Sequence, residues 1–276
     1  MQKQEQLKDA YNKLIKYNRP ICIFLYCPPK VGSTTLVTSL RVSLGRLANV
    51  IHIHDEIMLS VLTGIKDITV YDIIDYTSKI AHKVYVIDIY RTPIERKMSE
   101  YFDKLSSHFN NSEENITNYN IEILIDRFNK LFPYLAPTEH YFDKYPISNP
   151  TNFNITDKYT IQQVNNIYYL KLRLIDVNEW SAILSTIFKK KIVIINDYFT
   201  SNKTLGNKYA EFKENYKLPL NYYELITHDK NLLFYFNDEE RMQYLKSWAS
   251  KLHEGDIFPF NHNEYIFYLD ITLKNQ

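Results

Sequence analysis

The apolar run Ile21–Cys27 (ICIFLYC) leads directly into Pro28-Pro29-Lys30-Val31-Gly32-Ser33-Thr34-Thr35, after which leucines recur at 36, 40, 44 and 47. Seven consecutive apolar residues suit a strand buried on both faces, and leucines three to four apart mark one side of a helix. The chain is thus committed to a strand–turn–helix unit whose turn carries a lysine, a glycine and three hydroxyls. The pattern then repeats. Val50–His54 reads as a short strand, Val70–Lys83 as a helix and Val84–Tyr90 (VYVIDIY) as a third buried strand. Strands alternating with helices predict a parallel sheet with right-handed crossovers, and ligands bind outside the carboxyl ends of such strands. Those ends fall near Cys27, His54 and Arg91.

Further along, Thr92-Pro93-Ile94-Glu95 reads as a capping box opening a helix to about Ser106, and the Asn- and Ser-rich His108–Tyr119 as a flexible connection. A helix is expected at Ile121–Phe132. A β-hairpin follows, with strands Tyr159–Val164 and Ile167–Leu174 around an Asn165-Asn166 turn. Val177–Phe188 is read as a helix, Ile192–Asn196 as another buried strand, and Asn237 as the cap of a helix through Trp248. The expected fold is α/β, a P-loop-type three-layer sandwich with a central parallel sheet and a helical C-terminal elaboration. One domain is expected, its nucleotide-binding core spanning about 18–110 and 155–200 and its helical part about 205–276.

Composition narrows the function classes. With 276 residues, 45% hydrophobic and 15% aromatic, the chain can bury a core and does not resemble a disordered tail. Thirty-three Lys+Arg against 32 Asp+Glu argues against a dedicated nucleic-acid binder. Cys22 and Cys27 are five residues apart and point to opposite faces of a strand, so they are expected as core thiols of a reducing compartment. The N-terminus is polar and amphipathic, and no 18-residue apolar run occurs. A soluble, cytoplasmic protein without a membrane span is expected.

The turn after the first strand has the parts of an anion site. Helix-start N–H groups and the helix dipole favour a phosphate, Gly32 permits close backbone approach, Ser33, Thr34 and Thr35 offer donors, and Lys30 supplies charge. A solvated lysine before a Ser/Thr-capped helix would give the same string. The order is not that of a Walker A loop, in which lysine directly follows the second glycine. Here Lys30 precedes Gly32 by two positions. This P-K-x-G-[ST]-[ST]-x-L order resembles the loop of sulfotransferases that use 3′-phosphoadenosine 5′-phosphosulfate (PAPS). In that family an arginine at the end of a later strand and a serine eight residues on hold the 3′-phosphate. Arg91 and Ser99 match that pattern in chain order.

His52-Ile53-His54-Asp55-Glu56 closes the second strand, with both histidines on one face. This H-x-H resembles glycan O-sulfotransferases acting on uronic acid 2-hydroxyls, in which the second histidine is the base. The resemblance implies His54 as catalytic base and His52 as its supporting partner. Asp55 and Glu56 are fallback carboxylates.

The segments Val177-Asn178-Glu179-Trp180, Ile192–Asn196, YAEFKENYKLP from Tyr209 and Phe234–Trp248, with His140-Tyr141-Phe142-Asp143, resemble capsular polysaccharide synthesis proteins of the same sulfotransferase-like group. The resemblance implies PAPS as donor and a hydroxyl acceptor, most readily a saccharide. Lys30 and the loop from Val31 to Thr35 would hold the sulfuryl end, and no metal is needed. Ser201-Asn202-Lys203 is a candidate for further nucleotide contacts. Tyr134, Tyr141, Phe142 and Tyr145 could stack on sugar rings or pack a core. A P-loop kinase relying on Asp88 and a non-catalytic adenosine-phosphate or glycan binder are the rival readings.

Overall fold

The computed structural model describes residues 2–137, 152–195 and 204–274. The chain forms two compact units, Met1–Arg91 with Thr138–Asp197, and Thr92–Pro137 with Tyr198–Gln276.

The first unit is built on a five-stranded sheet. Strands β1 (Ile21–Tyr26), β2 (Ala48–Ile53), β3 (Lys83–Tyr90), β4 (Tyr159–Val164) and β5 (Ile167–Arg173) stand in the order β2-β1-β3-β5-β4. The first three and β5 run parallel, and β4 pairs antiparallel with β5 at the edge. Side-chain alternation sorts these strands into two apolar faces. Cys22, Phe24, Ile51, Ile53, Val84 and Val86 pack with helices α1 (Gln2–Leu14), α3 (Glu56–Thr63) and α4 (Val70–Ser78). On the other face, Leu25, Cys27, Val50, Ile87 and Ile89 pack with α2 (Ser33–Leu44) and the helix Trp180–Phe188. The result is an α/β arrangement with helices on both faces, compatible with the expected three-layer sandwich. Both cysteines are buried thiols outside any disulfide, one on each face.

Three sequence expectations need correction. Residues 192–195 do not join the sheet. Their backbone N–H groups instead bond to hydroxyls on α2, Val193 to Ser43 Oγ at 3.0 Å and Ile195 to Ser39 Oγ at 2.8 Å. Thr92 makes no side-chain cap, because Glu95 accepts instead from Tyr244 Oη at 3.0 Å and Trp248 Nε1 at 3.3 Å. The 108–119 stretch is half helical, entered by the helix Leu105–Phe109 and containing the helix Glu113–Ile116.

Among its described residues, the regular structure of the second unit is helical apart from one short parallel pair, Leu218–Pro219 with Leu252–His253. Its core is aromatic. Tyr101, Phe128, Phe212 and Tyr216 meet ring to ring, and Phe132 stacks on Tyr222 with centroids 4.2 Å apart. Tyr134 stacks on Tyr265 at 3.8 Å and donates to Phe260 O, so it packs within this unit. Tyr141, Phe142 and Tyr145 lie outside the described residues, as do the His140–Asp143 and Ser201–Lys203 segments. Asn237 caps the helix Asp238–Ala249 with a complete capping box through Glu240, as read from sequence.

Candidate functional site

At the carboxyl end of β1 the backbone turns through two left-handed residues, Lys30 (φ +66°) and Gly32 (φ +87°). A lysine there costs conformational energy, and such outliers cluster at ligand sites. Gly32 is required twice over. Its φ disfavours a side chain, and a Cβ would lie 2.7 Å from Leu174 Cδ1 and 3.5 Å from the Trp180 ring. The glycine thus lets the loop sit against the layer formed by the end of β5 and the helix that follows. Val31 between them is fully buried and anchors the turn.

Helix α2 begins at Ser33 without a side-chain cap. Leu36 N–H bonds back to Gly32 O, and the three N–H groups before it point out of the helix start. The hydroxyls of Ser33, Thr34 and Thr35 make no hydrogen bond among the described residues. A positive dipole end, a left-handed loop and three hydroxyls meet at one point, which suits an anion.

Arg91, one residue past β3, donates from Nη1 to Lys30 O at 3.0 Å. The guanidinium ties the loop to the carboxyl end of the neighbouring strand and supports the strained lysine. One of its five donors is engaged this way. Ser99 lies in the second unit, on the helix Pro93–Asp103, and is buried.

His54 follows β2, and its Nδ1 sits 2.7 Å from Cys27 O. A carbonyl only accepts, so Nδ1 carries the hydrogen and Nε2 keeps the lone pair. The structure therefore fixes the tautomer a general base needs. His52 packs edge-on against it, ring centroids 4.4 Å apart. Burial, then the neighbouring His54 and then Arg41, push His52 down to about 4, so it is neutral near pH 7. Its Nε2 is buried with no partner among the described residues.

Of the fallback carboxylates, Asp55 has one oxygen engaged by its own helix. It is the N-cap of α3, and Oδ1 accepts from Met58 N at 2.7 Å. Glu56 Oε1 accepts from Val70 N at 3.5 Å.

Sequence reasoning missed a charged cluster at the carboxyl ends of β3 and β5. Asp88 and Lys171 face each other in register, Oδ2 to Nζ 3.6 Å, and both are almost fully buried. Arg173 forks onto Asp176 at 2.6 and 3.2 Å, while Trp180 Nε1 donates to Arg173 O. The alternating K-L-R at the end of β5, opposite the lone acid of VYVIDIY, was the available signal. Arg41 was missed too. It donates from Nε and Nη2 to Val50 O, beside His52.

Compared with protein-family models, curated proteins and solved structures, the chain matches none. Its function is therefore argued from the site itself.

Proposed function

We propose that this chain binds PAPS and transfers the sulfuryl group to a hydroxyl acceptor, a saccharide being the favoured class. One observation carries the reading. An uncapped helix start sits behind a left-handed Lys30–Gly32 loop clamped by Arg91, with a tautomer-fixed histidine hydrogen-bonded to the same loop at Cys27.

Bound there, the donor supplies an activated sulfuryl group. The first-turn N–H groups and the hydroxyls of Ser33, Thr34 and Thr35 bind its anionic oxygens, and Lys30 adds a positive charge where negative charge develops. Arg91 holds the loop and presents its remaining donors to a phosphate. His54 Nε2 takes the acceptor's hydroxyl proton as general base, while the Cys27 carbonyl steadies the imidazolium that results. The kinase reading fares worse, because Asp88, the acid it needs, is buried against Lys171.

The test is release of adenosine 3′,5′-bisphosphate from PAPS in the presence of uronic-acid saccharides. Lys30→Ala should lower the transfer rate by about 10²–10³. Transfer at the wild-type rate in Lys30→Ala would remove the loop from the chemistry. Tight bisphosphate binding without transfer to any acceptor would point to the non-catalytic binder.

A further inference from the structure

The opposite pole of the sheet carries a feature that the nucleotide reading does not use. Strand registers align the starts of β1, β2, β3 and β5, with Ile21 beside Ala48 and Lys83, and Val84 beside Ile167. The segments that enter these strands form one rim. Lys16 and Arg19 precede β1, Arg46 precedes β2, Lys79 and Lys83 lead into β3, and three lysines at 189–191 follow the helix Trp180–Phe188. That is eight cations and no acid in the connecting segments 15–20, 45–47, 79–83, 165–166 and 189–191. Asp75, one turn inside α4, pairs with Lys79 at 2.8 Å. The whole chain carries a formal charge of only +1, so its remainder is net acidic and the charge is polarised toward this end.

Apolar side chains stand among the cations. Tyr17 is 62% exposed, Leu47 43%, Ile80 51% and Val164, at the hairpin turn, 39%. Helix dipoles favour cations after the helix ends gathered here, which accounts for the sign of the charge. They do not account for aliphatic side chains held out into solvent beside it. The rim is also firmly built. Arg19 Nη1 bonds to Gly45 O and Ala48 O, Asn166 Nδ2 to Ser78 O and Ala81 O, and Lys83 N to Pro20 O.

We infer that this amino-terminal pole is a docking surface for an anionic lipid bilayer. Lysines are attracted as point charges to the diffuse field of anionic headgroups, and Leu47, Ile80 and Val164 enter the headgroup layer. A nucleic acid is the other polyanion to weigh. Its sites favour arginine forks and aromatic stacking, whereas this rim has six lysines to two arginines. The Arg19 guanidinium is already bound to backbone carbonyls and lies over the Tyr17 ring, 4.9 Å from its centroid. The inference is independent of the nucleotide site, which lies at the other ends of the same strands.

Vesicle flotation of the full chain tests it. At 0.1 M salt, binding to vesicles of 30% phosphatidylserine in phosphatidylcholine should exceed binding to pure phosphatidylcholine by at least about tenfold, and should collapse at 0.5 M salt. Replacing Lys189, Lys190 and Lys191 together by alanine should weaken binding by about fivefold for each charge removed. Leu47→Ser with Ile80→Ser should weaken it further while leaving its salt dependence unchanged. Melting temperatures of the variants report their folding, and the wild-type salt series stands without them. Equal partition onto both vesicle types, or a folded triple-lysine variant that binds as wild type, overturns the inference. Absence of vesicle binding alongside tight binding to duplex DNA or RNA in the same buffer also overturns it, in favour of a nucleic-acid surface.

Discussion

His54 Nδ1 lies 2.7 Å from the carbonyl oxygen of Cys27, the first residue after β1. That bond ties the end of β2 to the start of the loop leading into α2. It also decides which ring nitrogen can act as a base. His54→Ala should leave bisphosphate affinity near that of wild type while transfer falls by about 10²–10⁴. Single-turnover kinetics alongside equilibrium binding separate the two effects. A parallel loss of affinity would mean that the histidine shapes the loop and is not the base.

Lys30 couples strain to function. Its φ of +66° suits glycine better, so Lys30→Gly should leave stability within about 1 kcal/mol of wild type, relief of strain offsetting the added freedom of the unfolded chain. Transfer should nonetheless fall by about 10²–10³. Chemical denaturation with a transfer assay checks both halves. A variant that loses several kcal/mol of stability would show that Lys30 holds the fold.

Gly32→Ala should be far more damaging to the fold. The new Cβ would need to displace Leu174 Cδ1 from 2.7 Å while keeping φ at +87°, at a cost of about 1–3 kcal/mol. Calorimetry should show a lower Tm. Leu174→Ala in the same chain should recover part of the loss that a purely conformational penalty would leave in place.

Much of this was legible in the sequence, and the misses have identifiable physical causes. The hairpin was readable because Asn165 takes φ +55° between two alternating runs, a conformation that asparagine tolerates. The β1–loop–α2 unit was readable because a continuous apolar run gives way, across a glycine, to leucines at helical spacing. Ile192–Asn196 misled because a short apolar run has no period of its own. Nothing local shows that Ser39 and Ser43 on α2 will bind its backbone. Asp55 looked like a spare carboxylate because α3 was not foreseen, and a cap is recognised only with its helix. Nothing in the run Ile167–Leu174 shows that Lys171 and Arg173 are buried. Their burial depends on partners from β3 and from residue 176.

Acid should weaken the fold through two histidines. Burial holds His52 and His108 down to about 4, against about 6.5 when unfolded. Between those values the unfolded chain binds more protons, so their contribution to stability is fully present above about pH 6.5 and is lost as pH falls toward 4. In urea unfolding, His108→Gln should flatten the acid-side slope by up to about 1.4 kcal/mol per pH unit. His108 is gripped by Tyr268 Oη and by Arg127, which both donate to its carbonyl, so any fixed loss of packing appears at every pH. An unchanged slope would mean that His108 takes up its proton in the folded state.

The donor assignment is tested most directly by ligand-dependent melting of the wild-type chain and of Arg91→Ala. Adenosine 3′,5′-bisphosphate at about 100 times its Kd should stabilise the wild type by about 2.7 kcal/mol, an upward shift of several degrees. AMP and ATP with magnesium should shift it far less, and Arg91→Ala should abolish the preference for the 3′-phosphate. Equal shifts with AMP and the bisphosphate, or a shift with ATP and magnesium alone, would contradict the proposal that this loop serves a PAPS-dependent sulfotransferase.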